Sequence, residues 1–242
     1  MEKSSKNSFN QDSSGGLFET LRAQASIAYH AHDHATAIQL WEQAANKGDA
    51  HSQYIMGLTY YIGQDVPQSN QTAVEWFRKA VDQGHVDAQR YMGKCYLGGF
   101  GVRQSDKTAV EWFQKAANQG NADAQCSLGE CYFEGFGVQQ SDQTAVKWFR
   151  ESAYQGDARA QYYLGVCYLD GRFVRKSVKI AADWFRMAAI QGFPPAQYNL
   201  GVSYEFGHGI PKSYRTAVEW YKKAAEQGDE AAEIALKRLK VL

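Results

Sequence analysis

Six glycines, Gly48, Gly84, Gly120, Gly156, Gly192 and Gly228, stand 36 residues apart along the chain. Three further columns keep the same step. Gly57, Gly93, Gly129, Gly165 and Gly201 form one, and Gln53, Gln89, Gln125, Gln161 and Gln197 another. The last is Trp76, Trp112, Trp148, Trp184 and Trp220, with Leu40 one period earlier. A period of this length marks an array of small units, each unable to bury its own apolar face and therefore stacked on its neighbours.

Each period reads as two helices. In residues 121–135, Ala124, Leu128, Cys131 and Tyr132 share one face at helical spacing. Gly129 lies mid-helix, where Gly costs roughly 1 kcal/mol against Ala, so a neighbouring helix is expected to approach it closely. Gly135-Phe136-Gly137-Val138 then ends the helix, as Gly99-Phe100-Gly101-Val102 and Gly207-His208-Gly209-Ile210 do elsewhere. A serine column, Ser69, Ser105, Ser141, Ser177 and Ser213, offers an acceptor for a free first-turn N–H of the second helix; Asp106 and Asp142 offer the same. Ala145, Trp148, Phe149, Ser152 and Ala153 continue at i, i+3, i+4, i+7 and i+8, the apolar stripe of a packed helix. Gly156 stands where a left-handed residue closes it.

Helix pairs are therefore predicted at about 17–47, 50–83, 86–119, 122–155, 158–191 and 194–227. A capping helix follows at 229–240, whose charges (Glu230, Glu233, Lys237, Arg238, Lys240) keep the end of the array wetted. The fold class expected is all-α. Residues 1–16, rich in Ser, Asn, Lys, Gln and Gly, bury too little apolar surface to offset their ordering entropy and read as a disordered tail.

The 26 basic and 26 acidic residues cancel. No basic stripe is forced on the fold, which argues against a nucleic-acid or anionic-membrane surface. No run reaches the ~18–20 apolar residues of a membrane span, and the first residues lack the apolar core of a secretory signal. A soluble, cytoplasmic protein is expected, without direct membrane insertion.

The period and its motif resemble the Sel-1-like repeat, a relative of the tetratricopeptide repeat. The resemblance rests on Ala124-Gln125-Cys126-Ser127-Leu128-Gly129, Tyr132, Gly135-Phe136-Gly137-Val138, Ala145-Val146-Lys147-Trp148 and Ser152-Ala153-Tyr154-Gln155-Gly156, and extends over about 17–240. The fifth copy departs, because Gly171-Arg172-Phe173-Val174 has lost a glycine, and the first copy is diverged. The resemblance implies a right-handed α-solenoid, a superhelix of about six antiparallel pairs whose first helices line a concave face. It also implies an adaptor or scaffold that holds a protein or peptide partner, in signalling, complex assembly, quality control or bacterial interactions with hosts or rivals.

On that arrangement the inner surface takes the positions between the core residues of the first helices. These are Tyr54, Leu58 and Tyr61; Arg90 and Lys94; Glu130, Phe133 and Glu134; Tyr162, Val166 and Asp170; and Tyr198, Val202 and Phe206. Tyr and Arg dominate binding hot spots and exposed apolar patches mark interaction sites, although Tyr54, Tyr162 and Tyr198 equally suit packing between repeats.

No catalytic residue, cofactor or metal site is assigned. Cys95, Cys131 and Cys167 share a column and Cys126 stands close by. A cysteine-rich branch of the family staples its helix pairs, but the second helices here carry no cysteine, so buried thiols in a reducing compartment are expected. His30, His32 and His34 with Asp33 form a turn cluster in which His30 and His34 share a face at i, i+4. Some relatives carry a β-lactamase label, which makes a penicillin-binding type of hydrolase one alternative. Its Ser-x-x-Lys nucleophile is not evident at an equivalent position. A structural, oligomerising solenoid is the other alternative.

Overall fold

A computed structural model describes residues 9–241. Among the described residues there are thirteen α-helices and no strand. The pairs are α1 (Phe9–His30) with α2 (His34–Asn46), α3 (Ala50–Ile62) with α4 (Asn70–Asp82), and α5 (Val86–Gly98) with α6 (Asp106–Asn118). They continue as α7 (Ala122–Glu134) with α8 (Asp142–Tyr154), α9 (Ala158–Asp170) with α10 (Val178–Ile190), and α11 (Pro194–Phe206) with α12 (Tyr214–Ala225). The last helix is α13 (Glu230–Arg238). The chain divides into two compact units, Met1–Ala116 and Ala117–Leu242. In each, consecutive helices pack in sequence to form a solenoid stack.

The expected tail needs correction over part of its length. Residues 1–8 lie outside the described residues, whereas α1 begins at Phe9, within the stretch read as tail. Once a helix is nucleated, each added residue brings one further hydrogen bond, so a polar sequence extends a helix that it would not start.

The serine column does cap the second helices. Ser69, Ser141, Ser177 and Ser213 accept from the N–H of Thr72, Thr144, Ile180 and Thr216 at 3.2–3.3 Å. First helices end on left-handed glycines such as Gly135 (φ 84°) and Gly171 (φ 81°), a conformation that costs Gly little.

The mid-helix glycines answer to one ring each. A Cβ on Gly165 would stand 2.4 Å from Cε1 of Phe185, and one on Gly129 2.6 Å from Phe149. Gly57, Gly93 and Gly201 meet Phe77, Phe113 and Tyr221 in the same way. The two helices of a pair thus approach until the aromatic side chain of the second lies on the bare backbone of the first. This ring column, and not the neighbouring tryptophan column, is the center of each pair. Phe149 is fully buried, while Trp148 is only half-buried. Gly165→Ala is expected to destabilise the chain by about 2 kcal/mol. Overpacking of about 1–3 kcal/mol outweighs about 1 kcal/mol of better helix propensity, because Phe185 is enclosed and cannot retreat. An unchanged urea midpoint would contradict this.

Glutamines join one pair to the next. Gln161, 2% exposed, donates through Nε2 to Ala153 O and accepts through Oε1 from Gln191 Nε2 at 2.9 Å. Gln53 with Gln83, Gln125 with Gln155 and Gln197 with Gln227 repeat the relay. The relay satisfies the buried glutamine amide, and it adds a second donor to a helix-end carbonyl that also accepts from the N–H of the following turn glycine, as Ala153 O does from Gly156.

Two copies strain the column of the second turn glycine. The second glycine of the Gly-x-Gly turns is left-handed at Gly101 (φ 70°), Gly137 (φ 68°) and Gly209 (φ 75°). Asp65 (φ 65°) and Phe173 (φ 52°) hold the same conformation with a side chain present, at a cost of order 1 kcal/mol each.

Candidate protein-binding surfaces

The residues expected on the inner face divide into three groups. Arg90 and Phe133 are buried, at 8% and 6% exposure, and are therefore corrections to a surface assignment. Phe133 lies edge-on to Phe149 and Tyr163, and the Arg172 guanidinium covers its ring at 3.5 Å. Arg90 reaches Asp87 at 3.8 Å.

The second group is half-buried and packs within and between repeats. Tyr54 stacks on His85 at 4.7 Å, and burial pushes its phenol up to about 12. Tyr61 meets Tyr91 and Phe100 edge-on. Lys94 lies over the Tyr91 ring at 5.2 Å. Glu130 takes the Arg159 guanidinium at 3.4 Å, and Arg159 also bonds Ser127 Oγ at 3.3 Å. Tyr162 packs on Phe185 and Phe193, Val166 on two core clusters, and Tyr198 and Val202 on the cluster around Tyr221. Leu58 packs on the Phe77 cluster and also faces a cleft described below. The inner columns are consumed by stacking because the first helices of successive repeats lie close enough to share them.

The third group is exposed: Glu134, Asp170 and Phe206, at the C-terminal ends of α7, α9 and α11. Ile62, one turn beyond Leu58 in α3, belongs to the same column and is 60% exposed.

An apolar cleft of about 320 Å³ opens in the first unit, walled by Tyr29, Ile38, Trp41, Ile55, Leu58 and Ile62. Its origin lies in the diverged first copy. Leu21 stands one period before Gly57 and is buried, so the slot that admits a ring elsewhere is filled by its own side chain. Trp41, one period before Phe77, is half-buried and lies 5.7 Å from Tyr29. At the rim, His34 Nδ1 is 2.6 Å from Asp65 Oδ2, and Tyr29 stacks on His34 at 4.9 Å. The histidine cluster is thereby corrected as well. His30 ends α1 and His34 begins α2, so the i, i+4 relation of one helix does not hold. Sequence reasoning passed over Trp41; the signal was Leu21 in the glycine column.

The four cysteines are buried thiols. Burial pushes the Cys95 and Cys167 thiols up to about 12 and Cys126 higher still, which removes the thiolate needed for reactivity. Among the described residues no group of three His, Cys, Asp or Glu side chains is arranged to hold a metal, and no helix is long and apolar enough to cross a membrane.

The Sel1 repeat pattern matches residues 28–49, 50–85, 86–121, 122–157, 158–193 and 194–229. No curated protein matches the chain. A protective antigen of uropathogenic Escherichia coli strains with this repeat fold is 31% identical over 94% of the chain, with a TM-score of 0.79. The chain spans 50% of that protein's length. A Sel1 repeat protein of Oxalobacter formigenes is also 31% identical, over 88% of this chain and 84% of its own, with a TM-score of 0.79. An immunity protein of Pseudomonas aeruginosa matches at 24% identity over 76% of this chain and 67% of that one, with a TM-score of 0.54. It shares the fold.

Proposed function

We propose, from the premise that this chain belongs to the Sel1 repeat family, whose members generally mediate protein–protein interactions, that it acts by binding a protein partner and not by catalysis. The observation that carries the reading is the cleft beside Trp41 and Ile62. It is apolar, concave and left unfilled by the described residues, and aromatic-walled pockets of this kind seat the anchor side chain of a partner. The His34–Asp65 pair at the rim supplies polar contacts that orient the incoming segment. In the second unit, Glu134, Asp170 and Phe206 supply exposed contacts on the same helix-end column. The inner tyrosines serve the scaffold more than the partner.

The test is affinity capture with the full chain as bait, beside an Ile62→Asp bait. Ile62 is 60% exposed, so the substitution is expected to leave the circular dichroism spectrum unchanged. Removing a hot-spot contact costs about 2 kcal/mol or more, a loss of affinity of roughly thirtyfold. A partner held equally well by both baits would overturn the cleft assignment.

A further inference from the structure

The turn between α9 and α10 combines three departures that other turns show at most in part: Asp65 is the other left-handed non-glycine in its column and Lys212 the other lysine in the glutamine column. Phe173 holds a left-handed backbone where Gly137 and Gly209 stand one period away, and its ring is 57% exposed. Lys176 replaces a glutamine that is structural in other copies, where Gln68 and Gln140 donate to Tyr61 O and Phe133 O at 2.9 Å. The span 171–182 carries Arg172, Arg175, Lys176 and Lys179 and no acidic residue, in a chain whose overall charge is zero.

These departures converge on one hollow of about 570 Å³, lined by Arg150 from α8, Arg175 and Lys176 from the turn, and Phe173 and Ile180. Among the described residues Arg150, Arg175 and Lys176 take part in no ion pair. Arg172, by contrast, is neutralised by Asp142 and covers Phe133. The scaffold therefore gives up a glycine and a capping amide here, and places three uncompensated cations around an exposed aromatic ring.

We propose that this turn is a docking site for an acidic protein segment, whose carboxylates pair with Arg150, Arg175 and Lys176 while an apolar side chain lies against Phe173 and Ile180. Arginine matches carboxylates bidentately, and charge complementarity steers such encounters. A nucleic acid or an anionic bilayer calls for an extended basic stripe, and this charge is gathered about a single concavity. The proposal stands apart from the cleft beside Trp41.

The experiment uses the full chain and a fluorescein-labelled synthetic peptide of sequence Glu-Glu-Phe-Glu-Glu, followed by fluorescence anisotropy. Binding is expected to weaken as salt rises, and the double variant Arg175→Glu, Lys176→Glu is expected to lose about tenfold or more in affinity. Arg215→Glu, a fully solvated cation of the same unit (side chain 92% exposed), is expected to leave affinity unchanged. Phe173→Gly is expected to raise the thermal midpoint by removing the strained φ, yet to weaken the peptide severalfold; a purely structural Phe173 would do only the former. Equal losses in the double variant and in Arg215→Glu would overturn the proposal. So would equal binding of a peptide with Gln for every Glu, or patch-dependent binding of phosphatidylserine vesicles without binding of the peptide.

Discussion

Phe149→Ala is expected to destabilise the second unit by about 3–5 kcal/mol, the range for truncating a fully enclosed aromatic side chain. The ring has no solvent exposure, lies on the backbone of Gly129, stacks on Tyr163 at 4.8 Å and meets Phe133 at 5.9 Å. Truncation empties the slot in which α7 and α8 touch. It also removes support from α9 through Tyr163, so the damage crosses a repeat boundary. Trp148→Ala, one residue away, is expected to have a clearly smaller effect because that indole keeps part of its surface in water. Urea denaturation of the two variants measures the difference. A Trp148 variant as damaged as the Phe149 one would show that the ring slot is not the center of the pair.

Glu205→Ala is expected to cost on the order of 3 kcal/mol and to release the last helix. Glu205 is 2% exposed. Its Oε2 accepts from Tyr221 Oη at 2.8 Å and from Arg238 Nη2 at 2.7 Å. Tyr221 occupies the ring column where the four preceding pairs have Phe, and Arg238 belongs to α13. One carboxylate therefore closes the final slot and fastens the cap. Its removal orphans a fully buried hydroxyl, worth about 1–3 kcal/mol, and also empties the space of its stem. Tyr221→Phe, which removes the donor and leaves the Glu205–Arg238 contact, is expected to cost no more than about 1.5 kcal/mol.

The same site is sensitive to acid. The Arg238 hydrogen bond, helped by the Tyr221 hydroxyl, holds the Glu205 carboxyl below its ordinary value of 4.5. Its stabilisation is thus complete above that value and is lost as pH falls through the lower folded value. Amide exchange in α13 reports this directly: protection is expected to fall in acid and to be low at all pH values in Glu205→Ala.

The repeat and its serine caps were legible because each rests on a residue type that recurs at fixed spacing. The column logic also located the close approach at Gly129. What it could not decide was which ring fills the slot. Trp148 and Phe149 are adjacent on the helix, about 100° apart, and both belong to a broad apolar stripe, so only packing separates the enclosed one from the rim. The binding positions were less legible for a related reason. An intervening position on a first helix faces solvent in an isolated pair, but the next repeat covers it, as Glu130 and Tyr162 show. The cleft beside Trp41 and the hollow beside Phe173 arise where the pattern is broken, and a broken column reveals its consequence only when the neighbours are in place.

The glutamine relay carries a consequence for how such a chain changes size. Each relay makes the same two bonds whichever repeats it joins: Gln161 to Ala153 and Gln191, Gln197 to Ala189 and Gln227. A tandem duplication or deletion of one whole copy leaves a complete relay at the new junction, whereas any other length strands a buried amide. Copy number is thus free to drift in steps of a full period, whereas the Glu205–Arg238 clasp ties α11 to α13 and has no counterpart at the other pairs among the described residues.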